Sequence, residues 1–284
     1  MTEKRFQTEA ERRDELLSLP EIYVLVSDTS GKNFLNGDSV LLYSKKEYAD
    51  EARDYLAQQL LMTSVRTVPA KEIPMFLQRA FWLNGAKGAI VDWGQEYFGA
   101  EAAFFCDDLI TETAPDLVRS PDFVRALAKF LQELRRPVND AGRGQRLRAL
   151  EDDMIRAFAG AKFIIPYKKG AHPGENVKVD DLGNGTSISF AQLSGENGPA
   201  TPLFTDTLLF TEHYDFPEWE CHAMAAKDLV FLPQYPGVID PGEFDFAMSK
   251  KFINNILNLI PYGDRGKRKD RRPGKGRRSF SLAS

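Results

Sequence analysis

The chain has 284 residues, 43% hydrophobic and 27% charged, the balance of a globular protein built as one large domain or two ordinary ones. That length supports a full core without staples, and the composition excludes collagen-like, coiled-coil and wholly disordered chains. The net charge of −4 hides a split: from Gly263 onward nine Lys or Arg stand against two acids, a local +7 that leaves −11 for the rest.

The N-terminal residues are charged and carry no apolar stretch of signal-peptide type. No run approaches the ~18 apolar residues that span a bilayer, so a cytosolic protein without a transmembrane segment is expected. Thr8 and Glu11 have the spacing of a capping box, and Pro20 stops the helix it opens. Residues 22–26 form a β-branched and aromatic strand, 28–37 a loop, and 40–43 a second strand. Ser44-Lys45-Lys46-Glu47 reads as another capping box, opening a helix to about Leu61. A short strand at 65–68 precedes a helix at 72–82 with Ile73, Phe76, Leu77 and Ala80 on one face. Residues 88–91 are a strand ending in Asp92-Trp93-Gly94. Ser120-Pro121-Asp122 starts a further helix, with Ser as its cap. Residues 139–144 combine Gly, Asn and charge without apolar periodicity and read as a linker, with a domain boundary near residue 142.

The second half repeats the plan. A helix carries Leu150, Met154, Ile155 and Phe158. Strands follow at 162–167 and 186–193, with a glycine-containing loop between them. Residues 201–206 are a strand leading into a helix, 227–232 a short helix, and 237–239 a strand ending in Asp240-Pro241-Gly242. Ser249 caps a last helix. Residues 90–98 align with 238–246, and Leu42-Tyr43-Ser44-Lys45 with Leu203-Phe204-Thr205-Asp206. The period is far beyond that of a solenoid, which argues for two similar domains. In the repeated turn the Asp accepts backbone N–H bonds at the strand end, and the Gly two residues on takes positive φ.

Three segments carry a family resemblance: Phe163-Ile164-Ile165-Pro166, then Thr201-Pro202-Leu203-Phe204-Thr205-Asp206, then Gly237-Val238-Ile239-Asp240-Pro241-Gly242. Together they resemble the SseB family, whose N-terminal-type domain runs as an apolar strand with Pro, a Pro-Leu-Phe-Thr strand end and a Val/Ile-Asn-Pro-Gly turn. In the first half Leu42-Tyr43-Ser44 stands for Leu-Phe-Thr, and Asp92-Trp93-Gly94 for Asn-Pro-Gly. Asp240 replaces the usual Asn, and Trp93 the usual Pro. The resemblance implies an α+β fold of two similar domains, each a mixed β-sheet packed with helices. These span 1–141 and 142–263, followed by a basic tail at 264–284 that composition marks as disordered. The resemblance implies no established activity and supplies no active site.

The residues themselves offer little catalytic chemistry. His213, Cys221 and His222 lie close in sequence but lack the paired spacing and fourth ligand of a structural zinc site. There is no G-x-S-x-G elbow and no phosphate-binding loop. Gly183-Asn184-Gly185 lacks the third Gly of a dinucleotide fingerprint. Asp107-Asp108, Asp152-Asp153 and Asp180-Asp181 read as solvated surface. No catalytic residue, metal or cofactor is assigned.

The leading expectation is a non-enzymatic binding or adaptor module. It would recognise a protein partner through Phe204, Thr205, Asp240, Pro241 and Gly242, and through their counterparts Asp92, Trp93 and Gly94. Trp93 could line a groove, because Trp is enriched at binding hot spots, although a residue so placed is more often a core lid. One rival is an enzyme whose site is invisible in sequence. The other is a protein that meets nucleic acid, or another anionic surface, through Arg265, Lys267, Arg268, Lys269, Arg271, Arg272, Lys275, Arg277 and Arg278; the same basic stretch could instead cover the acidic body of its own chain or serve only as a solubilising tail.

Overall fold

The computed structural model describes residues 8–106, 117–169, 188–195, 198–214, 218–231, 237–249, 253 and 256. The basic tail, most of the loop before 186 and most of the last predicted helix lie outside the described residues. Helix α1 (Glu9–Leu17) opens on the predicted capping box: the Glu11 amide donates to the Thr8 hydroxyl at 3.2 Å, and the Thr8 amide donates to the Glu11 carboxylate at 2.8 Å. Apolar runs then give β1 (Glu21–Ser27), the two-residue β2 (Leu35–Asn36) and β3 (Ser39–Tyr43). Helix α2 (Lys46–Gln58), β4 (Thr63–Pro69), α3 (Ile73–Gln78), β5 (Gly88–Val91), β6 (Phe98–Glu101) and a single turn, α4 (Ala102–Phe105), complete the first half. The predicted helix at 72–82 is divided: α3 is followed by a π-helical turn at Arg79–Leu83.

The first sheet has the order β4-β1-β3-β5-β6, with β2 hairpinned onto β3. β1 runs antiparallel to β3 and β4, β3 parallel to β5, and β5 antiparallel to β6. Alternate strand residues point to opposite faces. One face, with Leu25, Leu41 and Tyr43, packs under Ala49, Ala52 and Leu56 of α2. The other, with Ile22, Val24, Val40 and Leu42, packs against α3 and the long helices α5 (Pro121–Leu134) and α6 (Arg143–Gly160).

The second half contains β7 (Lys162–Lys169), β8 (Ile188–Phe190), β9 (Leu193–Gly195), β10 (Gly198–Leu203), α7 (Thr207–His213), β11 (Glu220–Ala225), β12 (Gly237–Ile239) and β13 (Phe246–Met248). The single strand predicted at 186–193 is thus two short ones. A bridge between Ile164 and Phe204 joins β7 to β10, with reciprocal bonds of 2.8 and 2.9 Å. The row β11-β7-β10-β12-β13 then repeats the order and directions of β4-β1-β3-β5-β6. The fold is α+β with mixed sheets, as the sequence implies.

Two local expectations are corrected. Ser44 does not cap α2, which begins after Lys45 without a side-chain cap. Ser120 stands at the cap position of α5, but its hydroxyl donates to the Lys162 carbonyl at 2.7 Å and accepts from the Lys162 amide at 2.8 Å. It ties the helix to β7 instead. The stretch near residue 142 is a tight helix-to-helix turn. Asp140 holds the Gly142 amide at 2.9 Å and Arg146 at 2.6 Å, and Arg146 reaches back to Glu133 at 2.9 Å. Helices α5 and α6 pack on each other, and one continuous apolar cluster joins them to both halves.

Candidate functional site

The repeated turn sits where a parallel strand pair ends. Leu42 pairs with Val91 in the first half, and Leu203 with Ile239 in the second. The next residue after Val91 is Asp92. Its carboxylate accepts both the amide and the hydroxyl of Ser44, each at 2.8 Å. Asp240 does the same for Thr205, again at 2.8 Å for both bonds. The Asp amides donate to Leu42 and Leu203 at 2.8 and 2.9 Å. Asp92 and Asp240 take φ of 54° and 42°, and Gly94 and Gly242 take 93° and 82°. The left-handed Asp is strained, and its three bonds hold it there.

The surroundings of the two turns differ. At the first, Trp93, Gly94, Gln95 and Tyr97 face Tyr48, Glu51, Ala52 and Tyr55 of α2 across an open groove of about 520 Å³. Tyr55 meets Trp93 edge to face at a ring separation of 5.6 Å. Tyr55 and Tyr97 are 52% and 62% exposed. Gln95 donates to the Glu51 carboxylate at 2.7 Å, which fixes one acid on the wall. The Lys45 ammonium lies 5.0 Å from the Tyr48 ring centre, so one aromatic face at the rim already carries a cation.

The second turn is closed. Phe204, Thr205 and Asp240 are at most 1% exposed. The loop between β1 and β2 covers it. Gly31, at φ 69°, lies so close that an added Cβ would stand 2.8 Å from the Glu243 carbonyl oxygen. Lys32 pairs with Glu243, and its ammonium lies 5.1 Å from the Phe244 ring centre. Burial lowers the Lys32 pKa, while Asp240, Asp206 and Glu212 act to raise it. Burial likewise pushes the Asp240 carboxyl up to about 6, opposed by Lys32 and the Thr205 bonds. Asp206, also raised by burial, caps α7 by accepting from the Leu209 amide at 2.8 Å. Beside this cluster lies a cavity of about 110 Å³ lined by Lys32, Arg66 and Arg79 against Asp206, Glu212 and Glu243. Arg79 and Glu212 pair across the two halves. The mutual neutralisation makes this cavity a polar seam that holds the halves together.

The expected recognition surface is therefore corrected at three positions. Phe204, Thr205 and Asp240 are interior, where no partner reaches them. Pro241 is half-buried and Gly242 exposed. Of the first-half counterparts, Asp92 is half-buried and bonded to Ser44, whereas Trp93 and Gly94 line the groove. The structure adds Tyr48, Glu51, Tyr55 and Tyr97. A signal for the first three was present: Tyr48, Glu51, Ala52 and Tyr55 stand at i, i+3, i+4 and i+7, one face of a helix. Lys32 carried no signal in its Ser-, Gly- and Asn-containing loop. His213 is engaged with the Leu209 carbonyl at 3.0 Å, and Cys221 and His222 are exposed neighbours on β11. Among the described residues no group of three or more His, Cys, Asp or Glu is placed to hold a metal, and no helix is long and apolar enough to cross a membrane.

No family model, curated protein or solved structure matches the chain.

Proposed function

We propose that this chain is a non-enzymatic, cytosolic protein-binding module of SseB-like, internally repeated type, and that its recognition surface is the groove between α2 and the first turn. The observation that carries this reading is the set of four aromatic residues, Tyr48, Tyr55, Trp93 and Tyr97, lining an open groove with one fixed carboxylate, Glu51. Exposed aromatic walls with a polar anchor suit an extended segment of a partner protein. The other copy of the repeat supports the same view by contrast, because there Thr205 and Asp240 are fully buried and no aromatic stands at the position of Trp93. The test is capture from native cytosol by the full-length chain and by its Tyr55→Ala/Trp93→Ala variant. A specific partner held by the wild type is lost from the variant. Equal capture by both would remove the groove from the reading.

A second reading keeps one specific support, the +7 of residues 263–284. In it the chain meets nucleic acid or another polyanion through that segment, with strong salt dependence. Replacing Arg271, Arg272, Arg277 and Arg278 by Gln in the full chain then abolishes heparin retention at low salt. Unchanged retention discards that reading.

A further inference from the structure

We propose that the groove is occupied in cis, in the partner-free protein, by the C-terminal segment Arg277-Arg278-Ser279-Phe280-Ser281-Leu282 of the same chain. The proposal rests on the reading of the groove as a docking surface and names its resident occupant.

The groove selects for a cation beside an aromatic. The exposed rings of Tyr55 and Tyr97 line it beside Trp93, and aromatic rings attract guanidinium groups. Helix α2 adds negative charge. Its Asp50 is neutralised by Lys46 and Arg53, and its Asp54 by Arg53. Glu47 and Glu51 make no ion pair among the described residues. Glu51, held by Gln95, therefore offers a positioned carboxylate to an incoming Arg.

The C-terminal segment has the matching pattern. Two arginines precede Phe280 and Leu282, the large apolar residues of the stretch after Gly263. The charge balance points the same way, +7 on that stretch against −11 on the rest. Reach is sufficient. From Ile256 to Phe280 the chain can extend about 80 Å at roughly 3.3 Å per residue. A folded body of this size is roughly 50 Å across. Attachment also decides between this segment and a free competitor of similar chemistry. A tethered segment acts at an effective concentration of order mM, so contacts too weak to hold a separate peptide suffice in cis. A protein partner then has to displace the segment, and salt, by screening it, opens the groove.

The test is zero-length carbodiimide crosslinking of the dilute full-length protein, with the links located by mass spectrometry. Lys275, two residues from the arginine pair, is expected to link within one molecule to Glu47 or Glu51. That link falls about tenfold in Tyr55→Ala/Trp93→Ala, read under conditions where far-UV circular dichroism shows the variant folded. It falls similarly in Phe280→Ala, a change outside the folded body. Links from Lys275 spread evenly over acids elsewhere, or unaffected by either variant, overturn the proposal. If the link is absent while Tyr55→Ala/Trp93→Ala still loses its partner, the groove reading stands and cis occupancy falls. If partner capture is also unaffected, both fall.

Discussion

At residues 92–95 and again at 240–243 the chain makes one turn twice, with matching bonds to Ser44 and Thr205, yet Asp92 stands half-buried beside an open groove and Asp240 is sealed under Lys32. The contrast separates what the turn does from what its neighbours do. In both copies the Asp fixes the strand end and aims the next residues. Whether the carboxylate itself reaches solvent is decided elsewhere: at the second copy the β1–β2 loop packs against Glu243 and Phe244. Burial also changes the physics of the same carboxylate. Asp92 keeps access to water, whereas Asp240 needs a buried cation and two donors from Thr205 to offset its lost hydration.

Removing Lys32 is the strongest way to break the contrast. Lys32→Ala leaves Asp240, Glu243 and Asp206 without their buried counter-charge, and such a loss costs about 3–5 kcal/mol. Urea unfolding measures it. At the open turn, Lys45→Ala leaves unfolding unchanged, because Lys45 is exposed. Equal effects at the two sites would mean that the covering loop contributes nothing to the difference.

Removing the carboxylates themselves comes next. Asp240→Ala orphans the Thr205 amide and hydroxyl in the interior, at about 3 kcal/mol for the two groups. Asp92→Ala exposes the equivalent Ser44 groups to water and costs about 1 kcal/mol. The ratio of the two losses in paired denaturation curves is the quantity to read. A ratio near unity would show that the two turns share one environment after all.

The pH dependence isolates burial from hydrogen bonding. A carboxyl whose folded pKa lies above its unfolded value of about 3.9 favours the folded state when protonated. Asp240, pushed up to about 6, therefore stabilises most below pH about 4 and loses that contribution as the pH rises through about 6. Asp206, also raised by burial, acts in the same direction. Asp240→Asn retains an acceptor for the Thr205 amide and cannot ionise. Between about pH 4 and 7 its stability relative to wild type improves by about 2–3 kcal/mol. A constant difference over that range would show that Asp240 does not titrate there.

The sequence showed the elements better than their relations. The apolar runs at β1, β3 and β5 and the stripe on α5 are strong periodic signals, and both Asp-x-Gly turns were visible as repeats. Ser44 was misread because Ser followed by Glu three residues later satisfies the local rule for a cap, while its actual partner, Asp92, lies 48 residues away. Near residue 142 the sequence signal is likewise purely local. Gly, Asn and charge mark a loop, but they cannot tell a free linker from a turn clamped by Asp140 and Arg146. The burial of Asp240 is not legible locally because its counter-charge, Lys32, sits in a loop without periodicity, and Phe204 is buried by Ile164, Phe210 and Tyr214 from other segments. Half of the groove, in contrast, was written into α2 as a Tyr–Ala–Tyr face. The pattern alone does not mark a groove, because a helical aromatic face is more often core.

That ambiguity sets the last and smallest expected effect. Trp93 and Tyr55 lend each other an edge-to-face contact worth about 1 kcal/mol. If they are a docking surface, Tyr55→Ala/Trp93→Ala lowers folding stability by no more than about 1–2 kcal/mol, because their outer faces gain no protein contacts on folding. Partner capture is nonetheless lost. Trp93 also packs its inner side against the cluster of Leu25, Leu41 and Tyr43; if that contact is its main role, the same variant unfolds several kcal/mol more easily, as core aromatic truncations do, at about 3–5 kcal/mol each. One pair of denaturation curves thus decides whether the open turn differs from the closed one in function or only in exposure.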